Sequence, residues 1–132
     1  MKVLTLKQPW ATLLARGHKL DETRSWATKF RGDFLIHSSA RWDQAGIDLY
    51  QRVRAKYNLP HFDQIPLGQI IGKATLIDVQ DSSVYQKTSR CTIEQKQLGD
   101  FRPARHIFIC TNHLELPVFV PAVGSLKFWN YD

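Results

Sequence analysis

Residues 17–24, GHKLDETR, place five charged or titratable side chains in eight positions directly after a short apolar segment. An amine (Lys19), a carboxylate (Glu22) and a guanidinium (Arg24) at this spacing suit two kinds of chemistry. Lysine offers a compact point charge and arginine a planar fork, and both match phosphate oxygens. A carboxylate beside an amine can instead activate water as a general base, provided the surroundings are dry enough to tune either group. Glu22 and Arg24, two apart, share one face of a strand. Lys19 and Glu22, three apart, face opposite sides of a regular strand and meet only if the chain turns or bulges. A structural ion pair fixing the entrance of a cleft is compatible with either chemistry. Trp26 follows as a surface on which a base can stack, a contact worth roughly 1 to 3 kcal/mol. Arg31 and Arg105 supply further guanidinium groups for the same pocket.

The elements that must hold this cluster are legible in outline. Val3, Leu4 and Leu6, β-branched and apolar residues suited to a pleated surface, mark a first strand. Pro9 suits a helix start, Trp10, Leu13 and Leu14 follow at helical spacing, and Gly17 can take the left-handed conformation that ends a helix. The following residues, 19–24, are expected to be extended. Residues 30–37 read as a strand and 40–57 as the longer helix, with Ile47, Tyr50, Val53 and Tyr57 on one stripe. Residues 69–79 are apolar on both faces, as in a strand buried on both sides or curled into a barrel. Residues 81–90 read as loop. Thr92 and Gln95 have capping-box spacing for a short helix ending near Gly99. Residues 106–111 and 118–120 read as two further strands, the second bracketed by Pro117 and Pro121.

A chain of 132 residues, 43% hydrophobic and 23% charged, is expected to form one globular domain over its whole length. No apolar run reaches the roughly 18 residues of a membrane helix, and no signal-peptide core is present, so a cytoplasmic location is expected. Cys91 and Cys110 stand apart, and the five histidines form no ligand motif, so neither a metal nor another cofactor is expected. The charge is lopsided. Residues 1–60 carry 11 Lys and Arg against 5 Asp and Glu, and residues 61–132 carry 7 against 7. The entire net charge of +6 therefore lies in the half that contains the cluster, which favours a polyanionic partner such as RNA or DNA.

Several spaced motifs occur in order: Gln8-Pro9-Trp10, the run from Gly17 to Trp26, Arg31-Gly32-Asp33-Phe34-Leu35-Ile36-His37-Ser38-Ser39, the run from Leu98 to Arg105, and the ending Gly124-Ser125-Leu126-Lys127-Phe128-Trp129. Together they resemble the activating signal cointegrator homology (ASCH) domain, a branch of the PUA-like superfamily. That resemblance implies an α+β fold: a small PUA-like β-barrel of about six strands with two main helices. It implies a basic cleft for RNA, a nucleotide or a modified nucleoside, with Lys19, Glu22, Arg24, Trp26, Arg31 and Arg105 as its candidate residues. One branch of similar proteins comprises amidohydrolases that deacylate N4-acetylcytidine through a GxKxxTxR motif and a downstream glutamate. Lys19 matches the lysine of that motif, Glu22 replaces its threonine, and Glu94 is the nearest counterpart of its glutamate. The exchange removes the hydroxyl nucleophile, leaving Glu22 to act as base or anchor. A ribonuclease is the remaining alternative.

Overall fold

The computed structural model describes residues 1–132. Its elements follow the order β1 (Lys2–Leu6), α1 (Trp10–Ala15), β2 (Glu22–Arg24), β3 (Gly32–Ser38), α2 (Gln44–Val53), β4 (Gln69–Asp81), α3 (Ser82–Tyr85), α4 (Ile93–Gln97), β5 (His106–Pro121) and β6 (Phe128–Asn130). The six strands form one sheet in the order β2-β5-β4-β3-β1-β6. All neighbours are antiparallel except β1 and β3, whose parallel pairing requires the crossover through α1 and β2. The outer strands β2 and β6 share no ladder. The sheet instead curls until Trp26, just beyond β2, meets Phe128 of β6 edge to face at 6.0 Å. The result is a half-barrel closed by side chains.

Its interior is the cluster containing Leu4, Phe34, Ile36, Ala74, Leu76 and Phe108, all fully or almost fully buried. Helix α1 lies against β4, where Gly72 makes the approach possible. A Cβ there would stand 2.5 Å from the Ala15 Cβ and 2.9 Å from the Leu114 carbonyl. A second cluster, Leu13, Leu49, Tyr50, Val53, Leu59, Ile65 and Leu98, binds α2 and α4 to the back of α1. The buried stripe of α2 is Gly46, Leu49, Tyr50 and Val53 rather than the stripe led by Ile47, because Gly46 sits directly on the Gln8 carbonyl. A Cβ at residue 46 would lie 2.2 Å from that oxygen, which is backbone and cannot swing away. Gly46→Ala is therefore expected to destabilise the fold by about 2 kcal/mol, within the range for overpacked sites. A urea midpoint unchanged from wild type would contradict this packing.

Three sequence expectations change. Residues 106–111 and 118–120 are one strand, β5. Residues 116–119 of β5 stand opposite only Ile71 of β4, since Glu115 pairs with Gly72 and Val120 with Ile70. Pro117 lies in this bulge, where its missing N–H costs no ladder bond. The segment read as loop after residue 80 instead continues as strand to Asp81 and then forms α3. Strand β4 is buried on both faces only where α1 covers it. Beyond Leu76 its outer face opens, leaving Ile77 exposed. Only half of the capping box forms: the Thr92 hydroxyl accepts from the Gln95 N–H at 3.1 Å, while the Gln95 side chain turns away to the Leu20 N–H and the His18 carbonyl.

Candidate functional site

Helix α1 ends at Gly17 in the left-handed region (φ 77°), where the chain turns before β2 begins at Glu22. That turn brings Lys19 and Glu22 to one side, with Nζ 3.1 Å from Oε1. Regular alternation resumes in β2, so Arg24 comes to the same side and its Nε donates to Glu22 Oε2 at 2.8 Å. Lys19 is 1% exposed and Glu22 7%. Burial pushes the Glu22 carboxyl up, but the charges and hydrogen bonds of Lys19 and Arg24 outweigh it and hold the carboxyl below its usual value. Glu22 is consequently a fixed anion. One oxygen receives Lys19 and the Thr23 N–H at 3.1 Å, and the other receives the guanidinium of Arg24.

Three of the cations here are anchored on backbone carbonyls. Lys19 Nζ donates to the Asp21 carbonyl. Arg24 donates to the Thr5 carbonyl at 2.8 Å, and Arg105 donates to the Thr23 carbonyl at 3.2 Å. Carbonyls hold a cation in place without cancelling its charge. Lys19 also retains one of its three N–H donors, and Arg24 and Arg105 each retain one terminal nitrogen.

These groups line a cavity of about 650 Å³ floored by Thr5 and Leu6 of β1 and walled by α2 and the chain around Asp100. Its cations are Lys7, Lys19, Arg24, Arg52, Arg105 and Lys127, and its carboxylates are Glu22 and Asp100. Asp100 is itself engaged. The Arg102 guanidinium donates to it at 2.7 and 2.9 Å, and that pairing brings its carboxyl down to about 2.

Lys19, Glu22, Arg24 and Arg105 are thus assembled in one place. Three other candidates are not. Trp26 packs edge to face on Phe108 at 5.2 Å and outside the cavity lining, although Arg24 and Lys127 lie 5.9 and 5.5 Å from its ring centroid. It stands beside two cavity cations rather than in the lining. Arg31 precedes β3 at the end remote from Ser38 and Ser39. It is exposed, caps the Thr28 and Phe30 carbonyls and lies 3.9 Å from Asp78. The expected alignment fails because strand β3 runs its full length between Arg31 and the cavity. Glu94 is 65% exposed on the outer side of α4, 3.7 Å from Lys56, so Lys19, Glu22 and Glu94 do not form a catalytic set. Gln97, nearer the helix end, lines the cavity instead.

Sequence reading missed Lys7, Arg52 and Lys127, which come from the chain after β1, from α2 and from the chain before β6, and it missed the support under Lys19. Asp21, 1% exposed, receives both arms of Arg90 at 2.9 and 2.7 Å, the Tyr85 hydroxyl, and the Cys110 N–H at 2.9 Å. Burial and the Asp21 carboxylate push the Tyr85 hydroxyl far up, and burial first, then Asp21, pushes the Cys110 thiol up to about 12. The only local signal was the acidic residue next to Glu22.

Acid should weaken this arrangement. Glu22 and Asp100 titrate below their usual values, so the stability they add is complete above the ordinary carboxylate range. It is lost as pH falls towards 2. His37, held down chiefly by burial, acts in the same direction from higher pH. Thermal midpoints are expected to fall progressively below about pH 5, and a midpoint flat to pH 3 would contradict the assignment.

A curled six-stranded sheet packed with short helices and carrying a basic cavity at the end of β1 defines a PUA-like α+β domain. The ASCH domain model matches residues 4–117, and the chain belongs to the ASCH domain family. Among its relatives is mouse (Mus musculus) activating signal cointegrator 1, 31% identical over 135 residues, covering 98% of this chain and 22% of that protein. The human (Homo sapiens) counterpart is 32% identical with the same coverage. The chain therefore spans about a fifth of the length of these relatives. The crystal structure of ASCH from Zymomonas mobilis shares the fold, with TM-score 0.56, 15% identity, and coverage of 91% of this chain and 72% of that one. A serine-to-alanine mutant of the same Zymomonas mobilis protein gives TM-score 0.55 at the same identity and coverage.

Proposed function

We propose that the basic cavity binds single-stranded RNA through the phosphates of its backbone. The observation that carries this reading is the division of labour among its charged groups. One buried carboxylate, Glu22, is shared by two cations, Lys19 and Arg24, and Arg105 faces Asp100 at 3.6 Å; all three cations also hang from backbone carbonyls with donors to spare. A cavity with six cations against two engaged carboxylates attracts an anion and offers it hydrogen bonds already aimed. Membership of the ASCH family supports a nucleic-acid ligand.

Deacylation of N4-acetylcytidine draws less support. Glu22, held below its usual value, is a weak base, and Glu94 lies outside the cavity.

Fluorescence anisotropy with a labelled single-stranded RNA tests the reading. Arg105→Ala is expected to weaken binding by about tenfold, the scale of one charged hydrogen bond. It should also reduce the slope of log affinity against log salt by about 0.7, the value for one phosphate contact on a single strand. Affinity and slope unchanged in both Arg105→Ala and Lys127→Ala would overturn the proposal. Incubation with N4-acetylcytidine is expected to release no cytidine, and release abolished by Lys19→Ala would favour the hydrolase instead.

A further inference from the structure

A second cavity, of about 820 Å³, adjoins the basic one and shares Thr5, Ser39, Ser125 and Leu126 with it. Its chemistry is opposite. None of its lining residues is Lys, Arg, Asp or Glu; its walls include His37, Ala40, Gly68 and Val123. Burial disfavours the charged form of His37 there, and the geometry fixes where its proton sits. Its Nε2 lies 2.7 Å from the Ala122 carbonyl, which can only accept, so Nε2 carries the proton. Nδ1 is then the acceptor for the Thr5 hydroxyl at 3.1 Å, and that hydroxyl in turn accepts the Trp129 indole N–H at 2.9 Å.

The partition between the cavities is the chain between β5 and β6, and it changes character along its length. Val123 and Gly124 face the uncharged side, Ser125 and Leu126 line both, and Lys127 lines only the charged side. Gly124 lets this segment close on the wall, since a Cβ there would stand 2.8 Å from His37 Cε1 and 2.9 Å from the Thr5 hydroxyl. Val123 and Leu126 are 92% and 88% exposed, so the partition presents two aliphatic side chains to whatever fills the space.

We infer that the two cavities together hold one phosphate-linked nucleoside unit. The phosphate sits among Lys19, Arg24 and Arg105, and the uncharged base and sugar lie in the second cavity against Val123 and Leu126. This rests on the proposed function and adds its ligand's second half. A nucleotide within a strand has this pairing of a localised negative charge with an adjacent uncharged body, polar at its edges and apolar on the faces of the base. The lining changes in the same order, from cations through a shared serine and leucine to uncharged walls. The second cavity therefore selects for ligands that carry a base, and inorganic phosphate or a bare sugar-phosphate chain occupies only the first.

The test compares a short oligouridylate with an abasic strand of the same length, each labelled and titrated against the unaltered protein. Loss of the bases is expected to weaken binding by at least about tenfold, the scale of a base-holding contact. Ala40→Trp, which fills the second cavity from its exposed rim, is expected to bring the intact strand down to the affinity of the abasic one. Equal affinities of the two strands for the unaltered protein, with binding still salt-dependent, would overturn the inference and leave the phosphate-binding reading standing. Failure of both strands to bind would remove both.

Discussion

Asp21→Ala is expected to cost the fold about 3 to 5 kcal/mol, the loss typical of removing one partner from a buried ionic network. The carboxylate has four donors on it: two from Arg90, the Tyr85 hydroxyl and the Cys110 N–H. These groups do not suffer equally. The Arg90 side chain is about a third exposed and regains water. The Cys110 N–H, on a fully buried residue of β5, cannot, and neither can the hydroxyl of fully buried Tyr85. Unpaired buried polar groups of this kind cost about 1 to 3 kcal/mol each, and these two carry most of the loss. The thermal midpoint should drop by on the order of 10 °C. Urea denaturation followed by circular dichroism measures the change, and a loss under about 1 kcal/mol would show that the network is slack. Because the Asp21 carbonyl also receives Lys19 Nζ, a disturbance here reaches the cavity through the backbone.

Glu22→Gln is expected to move stability and ligand affinity in opposite directions. The amide keeps the shape of the carboxylate and removes its charge, leaving Lys19, with a side chain only 2% exposed, close to Arg24 without an anion between them. A loss of about 3 kcal/mol follows from two cations facing each other with an uncompensated charge. The cavity meanwhile gains one unit of positive charge. A single-stranded RNA should bind more tightly, with steeper salt dependence. Denaturation and anisotropy on the same preparation check both halves. Weaker binding by the stable fraction would mean that Glu22 touches the ligand, contradicting its role as a fixed counter-ion.

The sequence discloses the parts of this site that depend on local periodicity. Glu22 and Arg24 share a face because strand side chains repeat every two residues. The need for a turn between Lys19 and Glu22 follows from the same rule, and the left-handed Gly17 introduces that turn. The Thr92 N-cap of α4 is likewise a four-residue pattern. What stays hidden depends on contacts between distant segments. Arg90 and Asp21 are 69 positions apart, and Arg105 and Thr23 are 82 apart, so no window of sequence contains either pair. Arg31 stands away from the cavity for a related reason: proximity to the motif in sequence says nothing about which end of a strand a residue occupies. The continuity of β5 was obscured by Pro117, which reads as a break locally and is accommodated only because the partner strand leaves it unpaired. Fold class was legible through the ordered set of motifs, which resemble one family along most of the chain, whereas β6, only three residues long, carries no strand pattern of its own.

The position of Trp26 makes the cavity optically self-reporting. Its indole has the Arg24 guanidinium on one approach and the Lys127 ammonium on another, at 5.9 and 5.5 Å, and both belong to the cavity lining. An anion that draws either charge away alters the electric field on the ring without touching it. Occupancy of the cavity is thereby converted into a change in the colour and yield of indole emission, carried by a residue outside the lining.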